Sequence, residues 1–318
     1  MLPASSHRVP PERLAAEPAQ VVSLATPAVW TAVAPRLADF VALTKPRLNL
    51  LVVATAAAGF YLAADGPVSP WLLIHTVVGT GLVAGAAAAF NQVYERDTDA
   101  LMRRTRHRPV PDGRMHPLTA LRFAWLLACA GLVELALGAN VLAAMVALVT
   151  LLSYTLVYTP LKRRTALSTL VGGIPGGLPP VIGWAAARGS LSLEAAVLFA
   201  IVFLWQMPHF LAIAWMCRDD YRRANIPMLP VVEPEGAVTA VQVVLYSGVL
   251  VPASLLPGVI GLAGRAYLVA AVALGVGFLG LALEFARSRD LTAARRLFLG
   301  SVTYLPLMWT AMLLNHAG

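Results

Sequence analysis

Charged side chains are scarce in this sequence. Asp, Glu, Lys and Arg make up 13% of its 318 residues, about half the share found in soluble domains. So little charge cannot cover a water-facing surface of this length, which excludes a soluble enzyme. Disorder is excluded for the opposite reason: 58% of the residues are hydrophobic and the mean hydropathy is +0.73. Cysteine is nearly absent as well. Cys129 and Cys217 are the only two, too few for a disulfide framework or a cysteine-built zinc site; they read as small packing residues. Acidic residues are outnumbered by basic ones, 16 to 24, for a net charge of +8. The basic residues come in short bursts between apolar runs instead of along one helix face. No nucleic-acid partner is expected.

What the chain has in quantity is apolar runs. Nine are read at 48–64, 70–92, 118–138, 140–160, 166–187, 193–216, 238–260, 264–285 and 297–314, each about the length a bilayer core requires. The expected fold is therefore all-α and integral to the membrane, with the lipid bilayer as its surroundings. Of the 24 Lys and Arg residues, 22 fall on one side of these spans, and only Arg188 and Arg265 on the other. The positive-inside rule then places the N-terminus in the cytoplasm and the C-terminus outside, in the cell inner membrane. Residues 1–35, rich in Ala and Pro, are expected to form a mostly disordered cytoplasmic tail, and 36–318 a single nine-helix membrane domain. The run from Val21 to Ala34 imitates the apolar part of a signal peptide. Pro27 interrupts it and no basic cluster precedes it, so no cleavage is expected. Leu37, Phe40, Val41 and Thr44 follow at helical spacing, which predicts a short interfacial helix ahead of Lys45-Pro46-Arg47 and the first span.

Because carboxylates are rare, their grouping carries information. Three lie in Asn91-Gln-Val-Tyr-Glu95-Arg-Asp97-Thr-Asp99, where the second span ends. Asn91, Glu95 and Asp99 stand at i, i+4 and i+8 and form one stripe on a helix. Stacked oxygen-bearing side chains repel one another unless a cation separates them. Mg²⁺ suits the role, since it takes a few carboxylates and completes its shell with phosphate oxygens and water. Asp97 joins such a site only if the helix ends or unwinds there. An ordinary solvated helix end is the competing reading. Arg103, Arg104, Arg106 and Arg108 follow directly. Guanidinium forks beside a metal-binding stripe are what a diphosphate needs, although charges that only set topology would also fall here. Tyr158-Thr-Pro-Leu-Lys162-Arg163 ends the fourth span on the same side. The Gly172–Pro180 run lacks the Lys-Ser/Thr of a nucleotide loop and predicts a broken or closely packed membrane segment.

A second polar focus is Trp205-Gln-Met-Pro-His209-Phe210 with Arg218-Asp219-Asp220-Tyr221. His209 lies within the sixth span, where an ionisable residue is a functional candidate or, alternatively, a packed core residue. If the helix continues, His209 and Asp220 share a face.

These residues carry a resemblance. The chain resembles the UbiA superfamily of intramembrane prenyltransferases and, within it, the branch that acts on haem. The likeness runs from about Asp39 to the last span. It rests on Leu43-Thr-Lys-Pro-Arg47, the Asn91–Asp99 motif with Arg104-Thr-Arg-His-Arg108-Pro109, Leu178-Pro-Pro-Val-Ile-Gly-Trp184, Pro208-His209-Phe210, Arg218–Tyr221 and Ile226-Pro-Met-Leu-Pro230. Gln92 and Glu95 stand where the superfamily's first motif usually has Asp. Cys217 and Tyr221 fill the places of the second motif's paired Asp, with Asp219 and Asp220 between them. The resemblance implies nine helices ringed around a central cavity, with Mg²⁺ as cofactor held by Asn91, Glu95 and Asp99. It implies a diphosphate held by Arg104, Arg108, Lys162 and Arg163. It also implies a reaction: farnesyl diphosphate alkylates a vinyl group of haem b and water is added, giving haem O. His209, Asp219, Asp220 and Tyr221 would form the haem side or the second motif. A haem A synthase or oxidase-assembly protein would be the partner downstream. The alternatives are a related prenyltransferase acting on another aromatic acceptor, such as a quinone precursor, and a transporter. The gathering of charge at one face disfavours the transporter.

Overall fold

The computed structural model describes residues 36–316. The tail expected over 1–35, with its signal-like run, lies outside the described residues. Among those described, nine helices are long and apolar enough to cross a membrane. They are α1 (Pro46–Ala63), α2 (Pro70–Tyr94), α3 (Pro117–Gly138), α4 (Val141–Leu161), α5 (Ser168–Arg188), α6 (Leu193–Met216), α7 (Ala237–Val259), α8 (Arg265–Ser288) and α9 (Leu291–Leu314). The chain is a multi-pass membrane protein. In hydrocarbon every backbone polar group needs an internal partner, and helix starts are handled accordingly. Pro opens α1, α2 and α3, where its missing N–H is no loss. Asn140 Oδ1 accepts from Ala143 N at 2.9 Å to start α4, and Asp290 Oδ1 accepts from Ala293 N at 2.7 Å to start α9. That second cap begins α9 six residues earlier than the apolar run suggests. Arg295 and Arg296 fall in its opening turns, where long basic side chains reach back to the interface.

Consecutive spans pack against each other in order, and α9 returns to α1 to close the ring. Further pairings tie it across, the broadest being α1 with α5 and α6 with α9. The Gly/Pro-rich α5 is the most buried span. It consists of two pieces joined at Leu178, where Pro179 and Pro180 supply no N–H donors. Its glycines let neighbouring backbones approach closely. A Cβ at Gly183 would overlap the carbonyl oxygen of Ala56 on α1 and come within 2.7 Å of Phe60 N. On the other side a Cβ at Gly176 would overlap the Gln206 side chain of α6, and Gln206 Nε2 donates to the Gly173 carbonyl at 3.0 Å.

The entry helix is present over Leu37–Leu43. Leu37 and Val41 of its apolar stripe are exposed, while Asp39 and Leu43 on the other face are buried. Asp39 is held by Arg114, which also donates to the His107 carbonyl at 2.8 Å. A difference from the expected helices lies after α6. That helix ends at Met216, Cys217 leaves helical geometry (φ −106°, ψ 15°), and a separate short helix runs over Arg218–Arg223. His209 and Asp220 are therefore not on one continuous helix.

The α1–α5 crossing makes a direct prediction. Gly183→Ala should lower the thermal unfolding midpoint in detergent, by the equivalent of about 1–3 kcal/mol for an overpacked contact. Gly280→Ala on α8, where a Cβ meets nothing within 4 Å, should leave the midpoint unchanged or slightly higher. Equal behaviour of the two variants would contradict the close crossing.

Candidate active site

The acidic stripe spans a helix junction. Asn91 belongs to the last turn of α2, Glu95 ends that helix, and a short helix follows over Arg96–Leu101. The i to i+4 hydrogen bonds continue through the break, Glu95 N to Asn91 O at 2.9 Å and Asp99 N to Glu95 O at 2.7 Å. Asn91, Glu95 and Asp99 therefore keep one face, and they are 4%, 2% and 1% exposed. Asp97 is not brought to them. Its carboxylate is exposed and pairs with its neighbour Arg96 at 3.4 Å.

Each stripe residue meets a basic residue from a different part of the chain. Lys45 Nζ donates to Asn91 Oδ1 at 3.1 Å. Lys162 Nζ donates to both Glu95 oxygens, at 3.0 and 3.1 Å. Arg108 Nη1 donates to Asp99 Oδ2 at 2.6 Å. Asp99 Oδ1 is buried and has no hydrogen-bond partner among the described residues. Burial pushes the Asp99 carboxyl above the usual range despite Arg108 beside it. Burial also lowers Lys45, to about 7, with the Arg108 charge adding to the effect. Burial works against the Lys162 ammonium too, but the Glu95 carboxylate outweighs it and the net direction is upward.

Local irregularities set these positions. Lys45 holds a left-handed backbone (φ 47°, ψ 59°) between the entry helix and α1, a strained conformation of the kind that clusters at functional sites. Gln92 Nε2 ties the entry helix down by donating to the Leu43 carbonyl at 2.9 Å. Lys162 follows a π-helical turn, Ser153–Tyr158, in α4; such turns recur at functional sites. Arg163, its neighbour, is exposed. Lys45 carried no role in the sequence reading beyond marking the entry to a span. The π turn leaves no spacing signal apart from Pro160.

The second polar focus docks onto the loop after the stripe. Arg104 lies over the Tyr221 ring at 4.6 Å, and Tyr221 is buried with Met102, Ile226 and Met228. Asp220 accepts the Arg103 backbone N–H at 3.2 Å and also binds Arg223. Asp219 is exposed and pairs with Arg222 at 2.9 Å. His209 is elsewhere, between α6 and α9. It stacks on Trp205 (4.9 Å between centroids) and faces Phe298 at 5.2 Å, and its Nδ1 lies 2.7 Å from Ser301 Oγ.

The donor set fits a hard divalent cation completed by substrate oxygens. Among the described residues no group of three or more His, Cys, Asp or Glu could hold a metal alone. Two carboxylates and one amide oxygen, with Asp99 Oδ1 still without a partner, match what Mg²⁺ asks of a protein when phosphate supplies the rest. Three basic residues against two carboxylates leave the pocket short of negative charge, and a diphosphate would supply it.

A membrane ring of nine helices with this acid–base cluster is the architecture of an intramembrane prenyltransferase, and the chain belongs to the UbiA prenyltransferase family, whose sequence profile matches residues 52–311. More narrowly, it is similar to the protoheme IX farnesyltransferase of Solibacter usitatus, 49% identical over 290 residues that cover 88% of this chain and 99% of that one. The protoheme IX farnesyltransferase of Myxococcus xanthus is 48% identical over 279 residues, covering 87% and 94%. Among solved structures, a UbiA homolog from Archaeoglobus fulgidus bound to GPP and Mg²⁺ superposes with a TM-score of 0.63 at 15% identity, covering 86% of this chain and 99% of that one. That last likeness is one of fold.

The lowered Lys45 generates a prediction. Before any anion binds, Lys45 loses its proton as pH rises through about 7, and a bound anion favours its charged form. Diphosphate binding without added Mg²⁺ should therefore take up a proton near pH 7 and weaken as pH rises above it. Lys45→Arg, charged throughout, should show neither effect. Calorimetry in buffers of different ionisation enthalpy checks both; proton uptake unchanged in Lys45→Arg would place the titration elsewhere.

Proposed function

We propose that this chain transfers a farnesyl group from farnesyl diphosphate to a vinyl group of haem b, with addition of water, giving haem O and diphosphate. One observation carries the reading: 49% identity to a protoheme IX farnesyltransferase over nearly the full length of both chains. The buried stripe and its basic partners supply the chemistry. The protein would lie in the cell inner membrane with the stripe at the cytoplasmic face, the N-terminus inside and the C-terminus outside, given the 22 to 2 distribution of Lys and Arg. A haem A synthase or oxidase-assembly protein would receive the product.

In this scheme Asn91, Glu95 and Asp99 would hold Mg²⁺, and Arg104, Arg108, Lys162 and Arg163, joined by Lys45, would hold diphosphate oxygens. When bound, Mg²⁺ neutralises the departing diphosphate and so favours ionisation of the allylic C–O bond. Arg108 and Lys162 already point at the stripe, so they need only exchange carboxylate oxygens for phosphate oxygens. Tyr221 and Asp220 steady Arg104 and the loop that bears it. An apolar cleft of about 400 Å³ between α1 and α9, lined by Leu50, Leu51, Ala54, Trp309 and Leu313 with Arg47 beside them, suits an isoprenoid tail. Dry walls protect the farnesyl cation from early hydrolysis. The haem vinyl group attacks that cation, and water captures the new carbocation with loss of a proton. His209, in its aromatic setting, belongs to the haem side. Asp97 and Asp219, exposed and paired with adjacent arginines, have no role in the scheme.

The decisive assay combines purified protein in detergent, haem b, farnesyl diphosphate and Mg²⁺, followed by mass analysis of the haem. A folded sample that yields no mass gain corresponding to a farnesyl group plus a hydroxyl group defeats the proposal. Asp99→Ala should reduce turnover by about 10²-fold or more, the scale of losing one preorganised electrostatic group. EDTA should abolish activity and Mg²⁺ should restore it; metal-independent turnover would remove the stripe from this role.

Arg104→Lys should raise KM for farnesyl diphosphate several-fold and leave KM for haem unchanged. Lys keeps the charge but loses both the planar fork and the stacking on Tyr221. Tyr221→Leu should shift the same parameter in the same direction. Parent-like kinetics in Arg104→Lys would reduce Arg104 to a topology charge.

A further inference from the structure

Ser301, on α9, is fully buried and lies against His209 of α6. Its hydroxyl oxygen is 2.5 Å from the Phe298 carbonyl oxygen and 2.7 Å from His209 Nδ1. Two oxygens approach so closely only with a hydrogen between them, and the carbonyl has none to give. The serine has a single proton, and it is committed to Phe298. Toward the imidazole, Ser301 Oγ can only accept. His209 is therefore protonated at Nδ1, and its lone pair is on Nε2.

The ring plane is fixed as firmly as the proton. Trp205 stacks on the imidazole at an interplanar angle of 23°, Phe298 covers it at 32°, and Phe210 meets it edge-on. Trp205 is itself anchored through its Nε1–H, which donates to the Ser301 carbonyl at 2.8 Å. The Ser301 side chain thus sets the tautomer, and its backbone sets the stacking partner. Nε2 has no hydrogen-bond partner among the described residues, and His209 remains partly exposed. A neutral imidazole presenting one lone pair among aromatic rings suits a transition metal carried by a flat apolar ligand.

We propose that Ser301 is a positioning residue that locks His209 in the Nδ1–H tautomer and presents Nε2 to the iron of the haem substrate. The proposal rests on the haem-side reading of His209. It follows the general rule that a ligating histidine is oriented through its other nitrogen.

The test uses the full chain in detergent with ¹⁵N-labelled histidine, the His209 signals being assigned by difference against His209→Gln. The parent should show an unprotonated Nε2 and a protonated Nδ1. Ser301→Ala should show a mixture of tautomers, and Ser301→Thr, which keeps the hydroxyl, should match the parent. Haem b titrated into the same samples should bind Ser301→Ala about 10–100-fold more weakly, with an altered absorption spectrum. Ser301→Thr should stay near the parent, and farnesyl diphosphate binding should be equal in all three. An unprotonated Nδ1 in the parent overturns the proposal, and that measurement decides even if Ser301→Ala fails to fold. A parent-like tautomer in folded Ser301→Ala overturns it as well. If the tautomer is as stated but His209→Gln binds haem with the parent's affinity and spectrum, the haem-side reading fails. The ligand role falls with it, while the Ser301-fixed tautomer stands.

Discussion

Two carboxylates held almost entirely out of water, Glu95 and Asp99, set the terms for the rest of the charged face. Desolvating a carboxylate costs several kcal/mol unless a well-placed cation repays it. Here each cation arrives from a separate element: Lys162 from the end of α4, and Arg108 from the loop after the stripe. Lys45, from the approach to α1, reaches Asn91 beside them. The need to compensate buried charge therefore draws together segments that are remote in the chain. It also explains why that loop is bound so thoroughly, through Arg114 to Asp39 on one side and through Tyr221 and Asp220 on the other. A buried ion pair is weak evidence of stability, since apolar packing would often serve as well. Its persistence here is better explained by exchange. In the proposed scheme the same three basic residues would turn to phosphate oxygens, with a divalent cation on the carboxylates, so the charges would stay balanced in both arrangements.

The helix that makes this arrangement possible is poor helix material. Gly and Pro dominate the first part of α5, yet α5 is the most buried span. In water such a segment would be marginal. In a bilayer the helix–helix contact draws on van der Waals packing instead of the hydrophobic effect, and small residues let backbones close up. The freed polar groups must then be served locally, as Gln206 serves the Gly173 carbonyl. The cost in propensity is recovered as a tight crossing with α1 on one side and α6 on the other, which keeps the stripe and the aromatic cluster in fixed relation.

Regular periodicity made much of this legible in the sequence. Nine spans could be read because hydrocarbon thickness imposes a length, and their orientation signal is carried by charge asymmetry alone. The Asn91–Glu95–Asp99 stripe could be read because helical hydrogen bonding survives the junction at Glu95. A like junction at Cys217, also bridged by i to i+4 bonds, lies between His209 and Asp220, which end in different surroundings. Asp97 shows the converse: the backbone does change direction after Glu95, but not by enough to turn that carboxylate inward. Lys45 and Ser301 were invisible as partners because their contacts bridge 46 and 92 residues. No local pattern encodes a left-handed lysine or the direction of a hydroxyl proton.

The two foci also differ in depth, and the chemistry accounts for it. The stripe lies at a helix terminus, where a polyanionic leaving group can be met by cations and released to water. His209 lies seven residues inside the end of α6, about 10 Å along the axis, among aromatic rings. In the proposed scheme the diphosphate leaves and the vinyl group attacks at the same allylic carbon. The two foci therefore cannot separate the steps; they must meet at that carbon. The acceptor's vinyl group would have to reach the buried stripe, with the flat ring of the haem extending from there toward the aromatic cluster around His209. Water that arrives early destroys the electrophile, and Glu95 and Asp99, 2% and 1% exposed, lie where little water reaches. The farnesyl tail would then run away from the charged face along apolar walls, which leaves only the reacting carbon beside the charges.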